Sequence, residues 1–475
     1  MKRTINPVLI FFLFMVFTIN HAFAEIKLPS VFCNNMVLQQ QTEAAIWGKA
    51  SKNASVKVST SWNNKSYSVQ ASADGNWKLK VVTPKAGGPY EITISDGKTF
   101  RLKNVLIGEV WVCSGQSNME MPMKGFKNQP ILGSSDAVAL SSNPNIRLFT
   151  VKKATSLEPL TDFTGEWKLC EPENVYEFSA TAYYFGLMLN KALNVPVGLI
   201  NTSWGGTRIE PWISELGCKN FDWVKLPEKK PVENLSPQTP TVLFNAMINP
   251  IVGYGIRGGI WYQGESNRNE PQYYQKLMPG LIQNWRSVWG IGEFPFYFVQ
   301  IAPFDYGPGG LNSAYLREAQ LKASTAIKNI GMACIMDLGE KDCIHPANKE
   351  LGSKRLALLA LAQTYGMKGI ANLSPVLKEM KVAEGVVKLT FENAPNGLTS
   401  YGKELMCFEV AGANKRFFPA KAFITGAGIT VFSPSVAEPI AVRYAFKDFI
   451  VGDLFSTDGL PVSSFRTDEW EPEKQ

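Results

Sequence analysis

The chain contains two histidines, His21 and His345, and His21 lies in an N-terminal segment that has the pattern of a cleaved leader. An imidazole suits general-base chemistry near neutral pH because its ordinary pKa is about 6.5. Asp342 stands three residues before His345, a spacing that lets a carboxylate on a turn accept from the ring and fix its tautomer. Pro346 restrains the backbone that follows. The alternative is an ordinary surface Asp/His pair, and Asp337 is a rival acid with no local reason to pair.

A serine suited to nucleophilic attack lies in the run Cys113–Glu120, directly after the apolar residues Val110–Val112. A glycine shortly before Ser117, with polar neighbours on a strand-to-helix turn, favours an exposed nucleophile whose own backbone N–H faces an oxyanion. The run differs from the G-x-S-x-G elbow because Met119 occupies the position of the second glycine. The alternative is a serine that caps a helix.

Two further clusters contain groups that could stabilise an oxyanion. Asn201–Arg208 includes paired glycines, so the backbone can approach a ligand and the Gly206 N–H could donate to it; the alternative is a tight turn that needs positive φ. Gln263–Asn267 places a side-chain amide at a strand end, where it donates without carrying charge. Glu265 could be a catalytic acid, but a structural hydrogen-bonding role is the favoured interpretation.

In chain order, the four clusters are Cys113–Glu120, Asn201–Arg208, Gln263–Asn267 and Asp342–Pro346, and they are numbered first to fourth. All four follow apolar runs that alternate with helical periodicity, which is typical of an α/β fold with a parallel sheet flanked by helices. Open parallel sheets bind their ligands at the carboxyl ends of the strands, so the clusters are expected to meet there. Together they predict a serine hydrolase. The expected strands are Val110–Val112, Val197–Ile200, Gly259–Tyr262, Phe296–Val299 and Met332–Met336, and the expected helices are Ala180–Leu193, Tyr273–Trp289 and Leu316–Ile327.

Shorter alternating runs with turn signals flank the α/β segment and predict β-domains. Ala54–Val58 and Tyr90–Ile94 are typical of a small β-sandwich, and Val386–Phe391 and Ala441–Phe446 indicate a second one. The predicted organisation is an N-terminal β-domain over residues 25–104, a catalytic domain over 105–371 and a C-terminal β-domain over 372–475.

Residues 1–24 have the pattern of a secretory signal peptide. Two basic residues precede the apolar run Val8–Ile19, and the small-x-small sequence Ala22–Ala24 forms a cleavage site. The apolar run is too short to cross a bilayer core of about 30 Å as a helix. We therefore expect a periplasmic or secreted protein that has no membrane association after cleavage.

Charge and cysteine usage exclude several other functions. The formal net charge of +7 includes Lys2 and Arg3, so about +5 remains on the mature chain, without basic runs that would indicate nucleic-acid binding. Seven scattered cysteines without a CxxC pair do not form a recognisable disulfide framework, although one or two bridges would be compatible with export. No zinc site, other metal or cofactor is expected.

The clusters resemble those of the sialate O-acetylesterases, a family of the SGNH-hydrolase superfamily related to plant and microbial carbohydrate acetylesterases. The similarity covers nearly the whole mature chain. The matching residues are Gly108–Met119, Trp204–Thr207, Trp261–Asn267, Asp342 through His345-Pro346 and Asn348-Lys349, with the flanking runs Asn35–Gln39 and Gly459–Pro461.

The resemblance implies that Ser117 is the nucleophile, His345 the base and Asp342 its orienting acid, without metal or cofactor. It also implies an oxyanion hole formed by the backbone N–H groups of Ser117 and Gly206 together with a side chain of the third cluster. Because the superfamily's usual asparagine aligns better with Ser266, the expected donor is Gln263, with Asn267 second.

The implied substrate is an acetylated sugar, with O-acetyl sialic acid first and acetylated xylan or another glycan as the alternative. Arg208 is a candidate partner for a sialic acid carboxylate. Trp204, Trp212 and Tyr262 are candidates for stacking on a sugar ring. A different class remains open, in which the chain is a carbohydrate-binding protein with an inactive α/β domain.

Overall fold

The structure, a computed structural model, describes residues 26–230, 233–426 and 428–470. The expected signal peptide and His21 lie outside the described residues. Within the described residues, no helix is both long and apolar enough to cross a membrane.

Most of the N-terminal strands belong to the same continuous sheet as the central strands, whereas Glu43–Lys49 and Asn76–Val82 pair with each other in a separate two-stranded sheet. Strand β7 pairs with β1 and β6 over its first half and with central strands over its second half, so the boundary expected at residue 104 falls inside a single 17-residue strand. The alternating burial of Ser55–Thr60 and Asn76–Val82 agrees with the period of two in the sequence. The strands are β1 Val37–Gln39, β2 Glu43–Lys49, β3 Ser55–Thr60, β4 Lys65–Gln70, β5 Asn76–Val82, β6 Gly87–Ser95 and β7 Thr99–Gly115.

The central part of the sheet is parallel, as the sequence predicts. Its further strands are β8 Asn143–Thr150, β9 Trp167–Cys170, β10 Val197–Ser203, β11 Gly258–Tyr262, β12 Phe296–Val299 and β13 Ile330–Ala333. Their spatial order is β13-β12-β11-β7-β10-β8-β9, and β9 is the antiparallel edge. Because β7 lies between β10 and β11, the clusters that follow these three strands meet in the middle of one sheet edge.

Helices cover both faces of this sheet. Side chains of β7 alternate between two apolar clusters. Val110 and Val112 pack on the side of the helix Pro271–Trp289 (α6). Trp111 and Cys113 pack on the side of the helices Ala180–Leu193 (α4) and Lys349–Leu359 (α8). Helix α4 has the predicted bounds, whereas α7 begins and ends four residues earlier than predicted. The helices are α1 Ser117–Glu120, α2 Ser134–Ala139, α3 Pro172–Glu177, α4 Ala180–Leu193, α5 Glu215–Cys218, α6 Pro271–Trp289, α7 Asn312–Ala323 and α8 Lys349–Leu359.

Additional sheets complete the C-terminal part of the chain. The sheet orders are β14-β15-β20-β19 and β18-β17-β21-β23, and β16 pairs with β22. These strands are β14 Val376–Ala383, β15 Val386–Glu392, β16 Leu398–Thr399, β17 Phe408–Ala411, β18 Phe417–Pro419, β19 Lys421–Thr425, β20 Gly428–Phe432, β21 Ala441–Tyr444, β22 Phe455–Ser456 and β23 Phe465–Arg466.

A buried charge joins the C-terminal sheets to α7. Arg317 is fully buried and donates to Ser464 Oγ (3.2 Å), Ser313 Oγ (3.2 Å) and the Lys447 carbonyl. The Asp448 carboxylate accepts from the Ser313 N–H at 2.7 Å. Burial lowers the pKa of Arg317 to about 10, and the Asp448 charge opposes that shift.

We predict that Asp448→Ala destabilises the protein by about 3–5 kcal/mol, because it leaves the buried Arg317 guanidinium without a compensating charge. Denaturant unfolding monitored by circular dichroism measures the change. Glu379→Ala is the control, since its ion pair with Lys381 is exposed and should contribute little. Equal losses in both variants would contradict the assignment.

Candidate active site

Ser117 lies where β7 ends and α1 begins. Gly115 has φ +139°, and a Cβ there would lie 2.2 Å from the Tyr262 carbonyl oxygen, so only glycine fits beside β11. The Gln116 N–H donates to that carbonyl at 3.0 Å. Ser117 is half-buried, and no hydrogen bond engages its backbone N–H or its Oγ in the described part of the chain. Both groups are therefore free for a substrate.

The second cluster lies directly against this serine. A Cβ on Gly205 would be 3.2 Å from Ser117 Cβ. Gly206 has φ +75°, and its carbonyl accepts from Gln238 Nε2 at 2.7 Å and Ser266 Oγ at 2.9 Å. With its carbonyl held on that side, Gly206 keeps an exposed N–H that has no partner among the described residues. Ser117 and Gly206 thus present two backbone donors, as an oxyanion site requires.

Asn118 connects the serine to the histidine loop. Its fully buried side chain donates to Glu265 Oε1 at 2.7 Å and to the Ile344 carbonyl at 3.1 Å. Its Oδ1 accepts from Lys349 Nζ at 2.7 Å. Because Ile344 precedes the histidine, these bonds bring Ser117 and His345 into one site.

The partner of the histidine is Gln129, not Asp342. His345 Nδ1 lies 2.6 Å from Gln129 Oε1, and Phe126 packs edge-on against the ring at 5.3 Å. Asp342 is exposed, and its carboxylate has no hydrogen bond or ion pair among the residues described. Residues 342–345 are not helical, so the argument that residues three apart are neighbours on a helical turn does not apply to Asp342 and His345.

The local backbone explains how Gln129 reaches the ring. Phe126 and Gln129 exchange two backbone hydrogen bonds of 3.0 Å, closing a turn in which Asn128 has φ +61°. With Gln129 Oε1 as the acceptor of this hydrogen bond, the proton of the neutral ring lies on His345 Nδ1. The Nε2 lone pair is then available to take the proton of a serine hydroxyl.

The environment keeps the imidazole neutral. Burial lowers the pKa of His345 to about 4, and the Lys349 ammonium acts in the same direction. This pKa lies below the ordinary imidazole value of about 6.5. Gln129 carries no charge that would stabilise the imidazolium, so desolvation dominates.

The amides of the third cluster, Gln263–Asn267, are the expected oxyanion donors, but in the structure they form hydrogen bonds within the protein. Gln263 is fully buried, and its Nε2 donates to the Thr207 carbonyl (3.2 Å) and Asn267 Oδ1 (2.8 Å). Asn267 Nδ2 donates to Glu210 Oε2 at 3.1 Å. Neither amide donor is directed at Ser117, because both are used to hold the second and third clusters together. Glu265, the structural alternative, is buried and bonded to Asn118.

The predicted sugar contacts also change. The Arg208 guanidinium is held by the carboxylates of Glu210 and Glu270, so it is not free to pair with a sialic acid carboxylate. Trp212 and Tyr262 are buried in the core and cannot stack on a sugar. Trp204 is half-buried, with Lys153 Nζ 5.6 Å from its ring centroid, and stays a candidate.

The rival acid and the cysteines have other roles. Asp337 forms two hydrogen bonds with Arg355, at 2.6 and 2.7 Å, and is not available to the histidine.

All seven cysteines are free thiols. Within the described residues, no three His, Cys, Asp or Glu side chains lie together as a metal site would require.

Two charged groups that are hydrogen-bonded to Asn118, Glu265 and Lys349, have strongly shifted pKa values. Burial raises the pKa of Glu265, and burial lowers the pKa of Lys349 to about 7. Lys349 Nζ also donates to the Pro346 carbonyl at 2.7 Å, which fixes the loop after the histidine. Asn118 and Lys349 lie within the runs that resemble the esterase family, although the sequence assigns them no role, and no spacing pattern marks Gln129.

A parallel sheet that presents a serine, a neutral histidine and two backbone donors at one edge is the architecture of an α/β ester hydrolase. The chain matches the family model "Carbohydrate esterase, sialic acid-specific acetylesterase" over residues 107–361. It therefore belongs to this family of carbohydrate esterases and is a carboxylic ester hydrolase.

Individual relatives agree with this membership. The chain is 31% identical to human sialate O-acetylesterase, covering 77% of this chain and 76% of the relative. It is 28% identical to the mouse sialate O-acetylesterase, covering 88% and 89%. A crystal structure of a carbohydrate acetylesterase from Xanthomonas citri superposes with a TM-score of 0.85 at 35% identity, covering 94% of this chain and all of that one.

The first prediction from the site concerns pH. The acid limb of the kcat/KM profile should fall near pH 4, because above that pH the His345 imidazole is neutral and accepts a proton, and below it the ring is already protonated. Initial rates on p-nitrophenyl acetate between pH 3 and 8, at constant ionic strength, measure the limb. A limb near pH 6.5 would contradict the desolvated environment.

The second prediction separates Gln129 from Asp342. Gln129→Ala should lower kcat about tenfold with little change in KM, because Nδ1 loses the acceptor that orients the ring. Gln129→Glu should move the acid limb to higher pH, since a carboxylate stabilises the imidazolium. Asp342→Asn is the matched control and should leave kcat and the limb unchanged. Unchanged activity in Gln129→Ala together with a lower kcat in Asp342→Asn would instead assign the orienting role to Asp342.

Proposed function

We propose that the protein is an exported esterase that removes O-acetyl groups from sialic acids. The observation that carries the chemistry is the hydrogen bond between Gln129 Oε1 and His345 Nδ1, which leaves Nε2 as the base for Ser117. Sialic acid as the sugar is supported by the relatives, which are sialate O-acetylesterases.

In the proposed reaction, His345 Nε2 takes the Ser117 hydroxyl proton as Oγ attacks the acetyl carbonyl. The oxyanion is stabilised by the N–H groups of Ser117 and Gly206. His345 then gives its proton to the departing sugar hydroxyl, leaving an acetyl ester on Ser117. A water molecule, deprotonated by His345, attacks this ester; His345 then returns the proton to Ser117 Oγ as the acyl bond breaks, and acetate leaves.

Because Gln129 is neutral, it affects which groups stabilise the transition state. With an aspartate, a fixed charge would stabilise the imidazolium that forms in each transition state. Gln129 supplies orientation without that charge, so the oxyanion contacts are expected to contribute more of the rate. Loss of one such donor typically costs about 10² to 10³ in kcat.

Acetylated xylan or another neutral glycan is the second candidate substrate. It is supported by the Xanthomonas citri relative, which is a carbohydrate acetylesterase. The ion pairs that hold Arg208 remove one expected contact to sialic acid, whereas a neutral glycan needs no such contact. The reading as a non-catalytic binding protein is wrong, since the chain belongs to an esterase family.

We expect Ser117→Ala to lower acetate release from p-nitrophenyl acetate by about 10⁴- to 10⁶-fold, because no other nucleophile replaces the serine. Equal rates would overturn the serine mechanism.

Comparing wild-type kcat/KM for O-acetyl sialic acid and acetyl-xylan tests which sugar is the substrate. A preference for xylan would replace sialic acid as the proposed substrate.

A further inference from the structure

A cleft lies between the N-terminal strands and the loops that cover the central sheet. We call it the Trp47 cleft; its volume is about 710 Å³, and its lining includes Lys27, Trp47, Lys49, Trp77, Lys78 and Asp162. Sites that bind small molecules or single sugars usually measure about 300–1,000 Å³ and contain aromatic side chains with a few polar groups. No step of the proposed acetyl transfer uses this cleft.

A second concavity shares a lining residue with the first. We call it the lysine groove; its volume is about 440 Å³, and its lining includes Lys152, Lys153 and Leu160. Asp162 lines both concavities, so the groove and the cleft meet at this residue. Asp162 is fixed there because its Oδ1 accepts from the backbone N–H groups of Ser30 and Phe163, each at 2.8 Å.

The other end of the lysine groove reaches the active site. Lys153 Nζ lies 2.6 Å from Glu120 Oε1. Glu120 ends the short helix that Ser117 begins, and its other oxygen accepts from the Gly205 N–H. A chain of contacts therefore runs from the Trp47 cleft along the lysine groove to the nucleophile.

Positive charge dominates this path. Lys27, Lys49, Lys78 and Lys152 are exposed and form no ion pair among the described residues, whereas the lining contains one carboxylate, that of Asp162. Lys27 and Lys49 are held side by side by backbone hydrogen bonds of 2.9 and 2.8 Å. A row of unpaired ammonium groups attracts carboxylates and offers little to a neutral glycan.

Trp47 supplies an aromatic wall within this charged surface. Its ring is half-buried and braced edge-on by Phe32 at 4.6 Å. Lys78 Nζ lies 5.5 Å from the ring centroid, so the ammonium is held at the wall of the cleft. An aromatic ring beside a fixed cation can contact both the apolar face and the carboxylate of an acidic sugar.

We propose that the lysine groove and the Trp47 cleft bind the chain of an acetylated oligosaccharide that carries carboxylates on several sugars, while one acetyl ester lies at Ser117. This inference rests on the proposed function and extends it from a single sugar to a chain. Distant sugars held in this way add binding energy without contacting the reacting atoms.

The test compares an O-acetylated oligomer of sialic acid with the O-acetylated monosaccharide, using the full chain. For the Lys49→Ala/Lys78→Ala double variant, KM for the oligomer should rise about three- to tenfold, with kcat unchanged. The reason is that two exposed contacts between lysine ammonium groups and carboxylates of the oligomer are lost. KM for the monosaccharide and turnover of p-nitrophenyl acetate should not change. Added salt should remove the wild-type advantage of the oligomer.

Lys80→Ala is the matched control, because Lys80 lies on the same strand as Lys78, is paired with Glu43 and does not line the cleft. Trp47→Ala is a second variant, which should also raise KM for the oligomer. An unchanged KM in the double variant and in Trp47→Ala would overturn the proposal. Absence of serine-dependent acetate release from p-nitrophenyl acetate would instead overturn the proposed function, so the two failures are distinguishable.

Discussion

The site depends on the hydrogen bonds of one buried amide, Asn118. The Asn118 side chain donates to Glu265 and to the Ile344 carbonyl and accepts from Lys349, so it joins the loop after β11, the histidine loop and the first turn of α8 to the nucleophile turn. Its backbone carbonyl also accepts from Thr181 Oγ1 at 2.9 Å, which ties it to α4. A buried amide left unpaired costs free energy, so these bonds form together and fix where the serine and the histidine lie.

Desolvation decides the charge of the base. His345 is partly buried between Phe126 and the loop that Lys349 closes, and its Nδ1 partner is the neutral amide of Gln129. A carboxylate in that position would favour the imidazolium, whereas an amide fixes the tautomer and leaves the ring neutral. The lysine beside it is itself shifted by burial, so the site combines a perturbed cation with a perturbed base. Such a combination is typical of catalytic centres.

Strand β7 gives the molecule its continuity. Its first half belongs to the N-terminal strands and its second half ends at the nucleophile turn, so the two regions share one backbone and one apolar cluster. The Trp47 cleft lies where the N-terminal strands meet the loops around Asp162 and Pro250, and the lysine groove leads from there to Glu120. The N-terminal strands therefore contribute a wall of the Trp47 cleft as well as packing.

The sequence by itself determined the parallel α/β fold and the membership of the first two clusters in the site. Apolar runs and helical periodicity are local patterns, and carboxyl ends of parallel strands must meet at one edge, so Ser117 and Gly206 could be placed together. Only the tertiary structure decided the partners. Gln129 reaches His345 from more than 200 residues away through a turn closed by left-handed residues, and Gln263 and Asn267 turn into the interior because buried amides must bond to one another. Such contacts depend on side-chain direction and burial, which spacing along the chain does not contain.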